Sequence, residues 1–182
     1  MTAARRLLTA GTELLVADGW AALTHRRVAD RAGVSLGLVR HHFGSVAGLR
    51  VAIAELAANP LIDALQLPQT TSRDGWVEVM MAGLAGPEQR RDDATVLLLL
   101  MTGSLHYPEI TGAVRAALGR LRSRVADSLA DLRPALADPD ATAAVLVAAL
   151  DGLLLTTLVD GPTDRVVRDR TGVTLRAVLD AG

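Results

Sequence analysis

Residues 24–45 read THRRVADRAGVSLGLVRHHFGS, and their spacing predicts two short helices joined by a tight turn. Thr24 and Ser35 each precede a helical segment, where a hydroxyl side chain can cap the first free amides. The small side chain of Ala29 leaves room for the second helix, and Gly33 can adopt the positive φ of a tight turn. This is the pattern of a helix-turn-helix, whose second helix enters the major groove of DNA. On these residues alone, an ordinary structural turn stays open as the alternative.

Outward from this stretch, the sequence predicts further helices and no sheet. No segment alternates apolar and polar residues between turn signals, as a half-buried strand would. Asn59-Pro60 is expected to end a helix, because the residue before a proline disfavours the helical conformation. The predicted fold class is all-α, with about nine helices near residues 3–18, 25–32, 36–42, 46–58, 73–85, 87–105, 108–132, 140–159 and 163–179.

The composition excludes several classes of protein. The 182 residues include no cysteine, which excludes a disulfide framework, a thiolate zinc site and a cysteine nucleophile. No apolar run approaches the ~20 residues of a membrane-spanning helix. The N-terminal residues lack the apolar segment and cleavage site of a signal peptide. We therefore expect a cytoplasmic protein.

The charge is divided unevenly along the chain. Residues 1–50 hold seven arginines and three acidic residues, a net charge of +4, whereas residues 51–182 hold twelve arginines and seventeen acidic residues, a net charge of −5. A basic segment joined to an acidic remainder indicates that the first part of the chain meets a polyanion. A chance fluctuation of charge is the alternative.

The run AGVSLGLVRHHFGS, residues 32–45, resembles the DNA-binding domain of the TetR family of transcriptional regulators. The preceding helix ends in Gly19-Trp20, similar to the glycine–aromatic pair of that family. Two positions depart from the family pattern: Arg40 stands where tyrosine is frequent, and Val46 where lysine is frequent. Because valine cannot bind phosphate, one contact expected from the resemblance should be missing.

The resemblance implies a DNA-binding domain at residues 1–58 and an effector-binding and dimerisation domain at residues 59–182. The motif covers about the first 50 residues. The remainder resembles the family in length, helix number and apolar character, and in two short segments, 106–109 and 150–153.

The resemblance assigns the DNA contacts to the two short helices and their caps. Gly37 would permit close approach to the groove, and Leu36 could contact a thymine methyl group. Arg40 and His41 are candidates for reading base edges, whereas hydroxyl groups, helix N-termini and the remaining basic side chains would hold phosphates. The predicted DNA-binding residues are Thr24, Arg26, Arg27, Ser35, Leu36, Gly37, Arg40, His41, His42 and Ser45.

The middle helices are expected to enclose an effector pocket. Methionine adapts to irregular cavities, and a histidine and a tyrosine there could orient a polar group of the effector. Few charges fall on the inferred inner faces, which favours an apolar or weakly polar small molecule. Ordinary core packing is the alternative for these residues, which are Trp76, Met80, Leu84, Leu97, Met101, Leu105, His106, Tyr107, Leu118 and Leu121.

A symmetric homodimer is expected, because one small DNA-binding unit reads too little sequence and two would read a palindromic operator. The last two predicted helices carry more apolar surface than one protomer should need. The predicted interface residues are Leu146, Ala149, Leu150, Leu153, Leu154, Thr157, Val167, Leu175 and Val178. Packing of this stripe wholly inside the monomer is the alternative.

The sequence argues against an enzyme, and no catalytic residue, metal or cofactor is expected. His41 and His42 are adjacent, so they point to different faces of a helix and do not make a metal-binding pair. No glycine-rich phosphate loop or nucleophile elbow is present. The expected function is a sequence-specific transcriptional regulator, a repressor that an effector releases from DNA by shifting its conformational population. The alternative is a constitutive DNA-binding or protein-interaction protein of the same fold.

Overall fold

The computed structural model describes residues 2–63, 67, 72–84, 89–160 and 165–181. Within these ranges the chain forms nine α-helices and two short 3-10 segments, with no strand, which confirms the all-α prediction. The helices are α1 (Ala3–Asp18), α2 (His25–Ala32), α3 (Leu36–Phe43), α4 (Val46–Asp63), α5 (Arg73–Leu84), α6 (Gln89–His106), α7 (Thr111–Leu132), α8 (Pro139–Asp160) and α9 (Arg165–Ala181). The 3-10 segments are Trp20–Ala22 and Pro108–Ile110.

The end of α4 corrects one predicted boundary. Asn59-Pro60 was expected to close this helix, but α4 continues to Asp63. The extra turn buries Ile62, and burial of an apolar side chain offsets the amide donor that proline removes. The predicted helix ends at residues 85, 87 and 163 lie outside the described ranges.

The chain divides into two compact units, and each draws on two segments. The first unit consists of Met1–Ile62 and Thr95–Ala117, and the second of Asp63–Ala94 and Leu118–Gly182. The long helices α6 and α7 therefore each contribute to both units.

The core of the first unit is built on a stripe of small and aliphatic residues along α1. Leu7, Gly11 and Leu14 share one buried face of this helix. A Cβ atom on Gly11 would lie 2.3 Å from Ile53 Cδ1, so the fully buried side chain of Ile53 occupies the space that a larger residue on α1 would need. At Gly19, α1 ends with φ at +76° and the glycine amide donating to the Leu15 carbonyl.

The core of the second unit surrounds Trp76 on α5. Its ring is fully buried, and its indole N–H donates to Ser128 Oγ at 3.0 Å. Ion pairs join the ends of α5 and α9, where Arg176 donates to Asp74 at 2.8 Å and Arg73 pairs with Asp180. Aliphatic side chains from α7, α8 and α9 complete this core. None of the helices in the described ranges combines the length and hydropathy that a membrane crossing requires.

Candidate nucleic-acid interface

The first helix of the predicted motif, α2, is capped at both ends as its sequence predicts. Thr24 Oγ accepts a hydrogen bond from the Arg27 amide at 3.2 Å. Gly33 adopts the left-handed conformation at φ +64°, and the Val34 amide donates to the Ala29 carbonyl at 3.0 Å. The positive φ expected at Gly33 is thus confirmed, and the chain turns tightly towards α3.

The second helix, α3, keeps most of its side chains out of the core. Ser35 Oγ accepts from the Leu38 amide at 3.3 Å and caps the helix, and Val39 is its buried residue. Gly37, Arg40 and His41 are exposed. Their spacing of three and four residues places them on one helical face. This face of α3 has no side chain at Gly37 and carries the two basic side chains of Arg40 and His41, an arrangement that suits insertion of the helix into a groove of DNA.

The start of α4 is fixed closely against the end of α3. Ser45 Oγ accepts from the Gly48 amide at 3.0 Å, which caps α4. A Cβ atom on Gly48 would lie only 2.4 Å from the Phe43 carbonyl oxygen. Glycine is therefore required here, because backbone cannot give way as a flexible side chain can.

Ion pairs with α1 neutralise part of the basic surface of α2. Arg27 pairs with Asp18, and Arg31 donates to Glu13 at 2.9 Å. All four side chains are about half exposed. Exposed pairs of this kind contribute little to stability, typically about 0–1 kcal/mol. Arg27 was predicted to contact a phosphate, but in the fold its guanidinium group already pairs with the carboxylate of Asp18, which the sequence did not indicate.

The predicted DNA-binding residues all lie in the first unit, on α2, on α3 and at the N-terminal caps of α2, α3 and α4. Leu36 is half-buried, and the other nine are exposed. The rings of His41 and His42 lie edge to face, 5.8 Å apart. In the described part of the chain, no three histidine, aspartate or glutamate residues group as a metal site.

A cluster that the sequence analysis missed joins α4 to the end of α6 within the first unit. Arg50 donates to Glu109 at 3.0 Å, and its guanidinium carbon lies 4.3 Å from the centre of the Tyr107 ring. The ring of Trp20 lies 5.9 Å from that of Tyr107. A hydrogen bond from its own backbone amide, and then the one from Arg50, hold the pKa of Glu109 below its usual range. The segment 106–109 was noticed in the sequence, but nothing there indicated Arg50 as its partner.

The structure separates the predicted pocket residues into two groups. In the second unit, Trp76 and Met80 are buried in the core, with Leu121 packed against it and Leu118 half-buried. In the first unit, Leu105 is 78% exposed. His106 is also exposed there, and the half-buried members are Leu97, Met101 and Tyr107. The side chain of Leu84 lies outside what the structure describes.

The predicted dimer residues include several that the second unit uses in its own core. Leu146, Leu150 and Leu175 are buried there, and Val178 packs against them. Ala149 is half-buried. On the same helices, Val145 and Val173 are 53% and 63% exposed. The side chains outside the described set are Leu153, Leu154, Thr157 and Val167.

Two family models match the chain, one in each part. Residues 7–53 match the tetR family of bacterial regulatory proteins, and residues 66–181 match the C-terminal domain of BetI-type transcriptional repressors. Together the two matches cover most of the sequence.

Curated relatives match the chain over a shorter stretch. The HTH-type transcriptional repressors AcnR of Corynebacterium efficiens and Corynebacterium glutamicum are 32% and 33% identical to it over 85 residues. That stretch is 47% of this chain and spans 42% of the length of each relative.

Solved structures match the whole fold. A transcriptional regulator from Rhodococcus sp. Rha1 superimposes with a TM-score of 0.75 at 22% identity, covering 99% of this chain and 95% of the regulator. A regulator from Streptomyces coelicolor gives a TM-score of 0.77 at 24% identity, covering 97% and 98% of the two chains. The multidrug binding protein EbrR, complexed with proflavin, gives a TM-score of 0.69 at 25% identity, covering 97% and 99%.

Proposed function

The chain belongs to the TetR family of bacterial regulatory proteins, and we propose that it represses transcription by binding a palindromic DNA operator as a homodimer. In this proposal, binding of a small, mostly apolar effector releases the protein from its operator. Both matched families are described as regulators or repressors rather than as enzymes. The protein would act in the cytoplasm, where a bacterial chromosome lies.

The observation that carries the proposal is the exposed face of α3. Gly37, Arg40 and His41 lie on this face, and neither Arg40 nor His41 makes an ion pair with any residue in the described ranges. An arginine on a helix in the major groove can donate two hydrogen bonds to the O6 and N7 atoms of guanine. We assign Arg40 to base reading and His41 to a neighbouring base edge or phosphate.

Gly37 supports the same assignment, because the fold has no need of a glycine there. A Cβ atom at this position would meet only Ser35 Oγ, at 3.9 Å. Glycine inside a helix destabilises it by roughly 0.5–1 kcal/mol relative to alanine. A glycine that costs stability and relieves no clash is explained if the backbone of α3 must lie close to the floor of a groove.

The caps of the helices provide the proposed backbone contacts. Thr24 and Ser45 are exposed at the N-termini of α2 and α4, where free amides and the helix dipole favour an anion. Arg26 is exposed in the first turn of α2 and adds a full positive charge. Such contacts hold the protein in register without reading sequence.

The effector proposal depends on the second unit and on the relatives. Among the described residues, no polar or charged one is fully buried, so the interior favours an apolar or weakly polar molecule. EbrR, similar in fold, has been crystallised with proflavin. We propose that residues 1–58 bind DNA and residues 59–182 bind the effector and dimerise. Val145 and Val173 are the exposed apolar side chains of the proposed interface on α8 and α9.

Selection of bound duplexes from a random DNA pool, at two salt concentrations, tests the proposal. The parent protein is expected to select a palindromic motif. The Arg40→Ala variant should lose the sequence preference at one base pair of that motif. Arg115→Ala removes an exposed arginine from α7 and should select the parent motif. Binding that enriches no motif and vanishes at moderate salt would overturn the regulator proposal. Selective binding that no small molecule weakens would favour the constitutive alternative.

A further inference from the structure

The first unit neutralises some of its arginines and leaves others free. Of the seven arginines in residues 1–50, three have carboxylate partners, in the pairs Arg27–Asp18, Arg31–Glu13 and Arg50–Glu109. The other four make no ion pair with any residue that the structure describes; they are Arg5, Arg6, Arg26 and Arg40. Arg26 and Arg40 belong to the proposed helix-turn-helix contacts. Arg5 and Arg6 have no role in that proposal.

The placement of Arg5 and Arg6 works against the stability of their own helix. Both lie in the first turn of α1, which contains no acidic residue. The N-terminus of a helix carries partial positive charge, so cations there are disfavoured. Both side chains are exposed, so they add little buried surface in return. Residues that lower the stability of their own helix and gain no packing in return are expected at functional positions, and Arg5 and Arg6 are such residues.

The ion pairs between α1 and α2 show where this first turn lies. Asp18 pairs with Arg27 and Glu13 with Arg31, so the two helices run antiparallel. Beyond Arg31, α2 has one more residue, whereas α1 continues for eight residues from Glu13 back to Arg5, or about 12 Å of helix. The first turn of α1 thus extends past the end of α2 from which the chain turns into α3.

We infer that the first turn of α1 is an additional contact to duplex DNA, in which Arg5 and Arg6 bind backbone phosphates at the end of the first unit where α2 turns into α3. Duplex DNA is the occupant that the charge favours, since two unpaired guanidinium groups complement a regular row of phosphates. The inference rests on the proposed DNA-binding function and extends the contact surface from the helix-turn-helix to α1. The two side chains hold the protein on the backbone and read no sequence.

The salt dependence of DNA binding tests this inference without an identified operator. The probe is a mixed-sequence duplex of about 30 base pairs, or three helical turns. Arg5→Gln and Arg6→Gln are each titrated over a range of salt concentrations. Each should lower the slope of log affinity against log salt by about 0.9 per protomer, which is about eightfold in affinity for each tenfold change in salt.

Arg31→Gln is the matched control, because it removes the same charge from the same unit at a side chain that already has a carboxylate partner. It should keep the parent slope. Thermal unfolding of Arg5→Gln and Arg6→Gln should show unchanged or slightly raised stability, since a cation leaves the N-terminus of a helix. A role confined to the fold would lower stability instead.

Two results would overturn the inference while leaving the proposed function intact. In the first, Arg5→Gln and Arg6→Gln have the same slope of log affinity against log salt as the parent protein, while Arg40→Ala loses its selectivity between DNA sequences. In the second, the slope falls as much in Arg31→Gln as in Arg5→Gln and Arg6→Gln, which would mean that the slope depends only on the net charge of the protein. A parent protein that binds no duplex at low salt would remove the proposed function itself, and this inference with it.

Discussion

The indole N–H of Trp20 donates to the main-chain carbonyl oxygen of Leu99 at 2.7 Å, so the 3-10 segment after α1 is hydrogen-bonded to the middle of α6. Gly103, one turn further along α6, makes room for this ring. Tyr107 and Arg50 extend the same cluster to α4. The first unit is therefore not held together by the helix-turn-helix alone, because the C-terminal half of α6 belongs to its core.

Gly103→Ala should destabilise the protein, unlike most glycine-to-alanine changes within a helix. The new Cβ atom would lie 2.2 Å from Trp20 Nε1 and 2.7 Å from the neighbouring ring carbon. A rigid indole cannot yield as a flexible chain would, so we expect a loss of about 1–3 kcal/mol in the free energy of unfolding. Urea denaturation followed by circular dichroism measures this change.

Gly119→Ala is the control for this clash, because a Cβ atom there meets nothing within 4 Å. It should gain about 0.5–1 kcal/mol from the higher helix propensity of alanine. In a Trp20→Leu background the penalty of Gly103→Ala should shrink, since contacting residues are not additive. Equal stability of Gly103→Ala and Gly119→Ala would contradict the proposed packing.

Gly37→Ala should separate stability from DNA binding. The position is exposed and unhindered, so alanine should raise the free energy of unfolding by about 0.5–1 kcal/mol. The added methyl group would hold the backbone of α3 away from the groove, and DNA affinity should fall. Fluorescence anisotropy with a selected duplex, read beside thermal unfolding, measures both quantities. Gly119→Ala should gain similar stability and keep parent affinity, and the idea fails if both variants bind DNA alike.

The local structure of residues 24–45 could be predicted because its determinants act over a few residues. Thr24 and Ser35 each cap a helix that starts beside them, and Gly33 supplies a positive φ at the turn itself. The pairing of Arg27 with Asp18 could not be predicted in this way, because it depends on how α1 packs against α2.

The role of the apolar stripe on α8 was ambiguous in the sequence for a similar reason. Leu146 and Leu150 have the spacing of a buried helical face, and that spacing is the same whether the partner is the same chain or a second copy. The structure buries both in the core of the second unit. The exposed Val145 lies next to them in sequence but on a different side of the helix.

Arg40→Ala and Arg26→Ala should weaken DNA binding in two distinguishable ways. If Arg40 reads a base, its loss should cost about 1–3 kcal/mol on the preferred duplex and relax specificity at one base pair of each half-site. If Arg26 holds a phosphate, its loss should weaken all duplexes alike and lower the salt slope by about 0.9. Competition binding on a set of single-base variants distinguishes the two. Uniform weakening by Arg40→Ala would exclude it from base reading.

Asp151→Asn should stabilise the protein at neutral pH. Burial raises the pKa of the Asp151 carboxyl above its ordinary value of 3.8, and the charge of Arg122 opposes this only in part. A carboxyl with a raised pKa binds more protons in the folded state, so its ionisation lowers stability as pH rises through that pKa. The gain of the asparagine variant should therefore be present at pH 7 and disappear as the pH falls to about 3.8 and below.

Glu109→Gln should change the stability at neutral pH in the opposite direction to Asp151→Asn. The pKa of Glu109 is lowered, first by its own backbone amide and then by Arg50, so its ionised form stabilises the fold above its ordinary pKa of 4.5. The glutamine variant should be less stable than the parent at pH 7, and the difference should shrink as the pH falls through the lowered pKa. Thermal unfolding of the parent and both variants between about pH 3 and 7 measures the two trends. If both variants shift stability in the same direction at pH 7, at least one of the two carboxyls lacks the environment described.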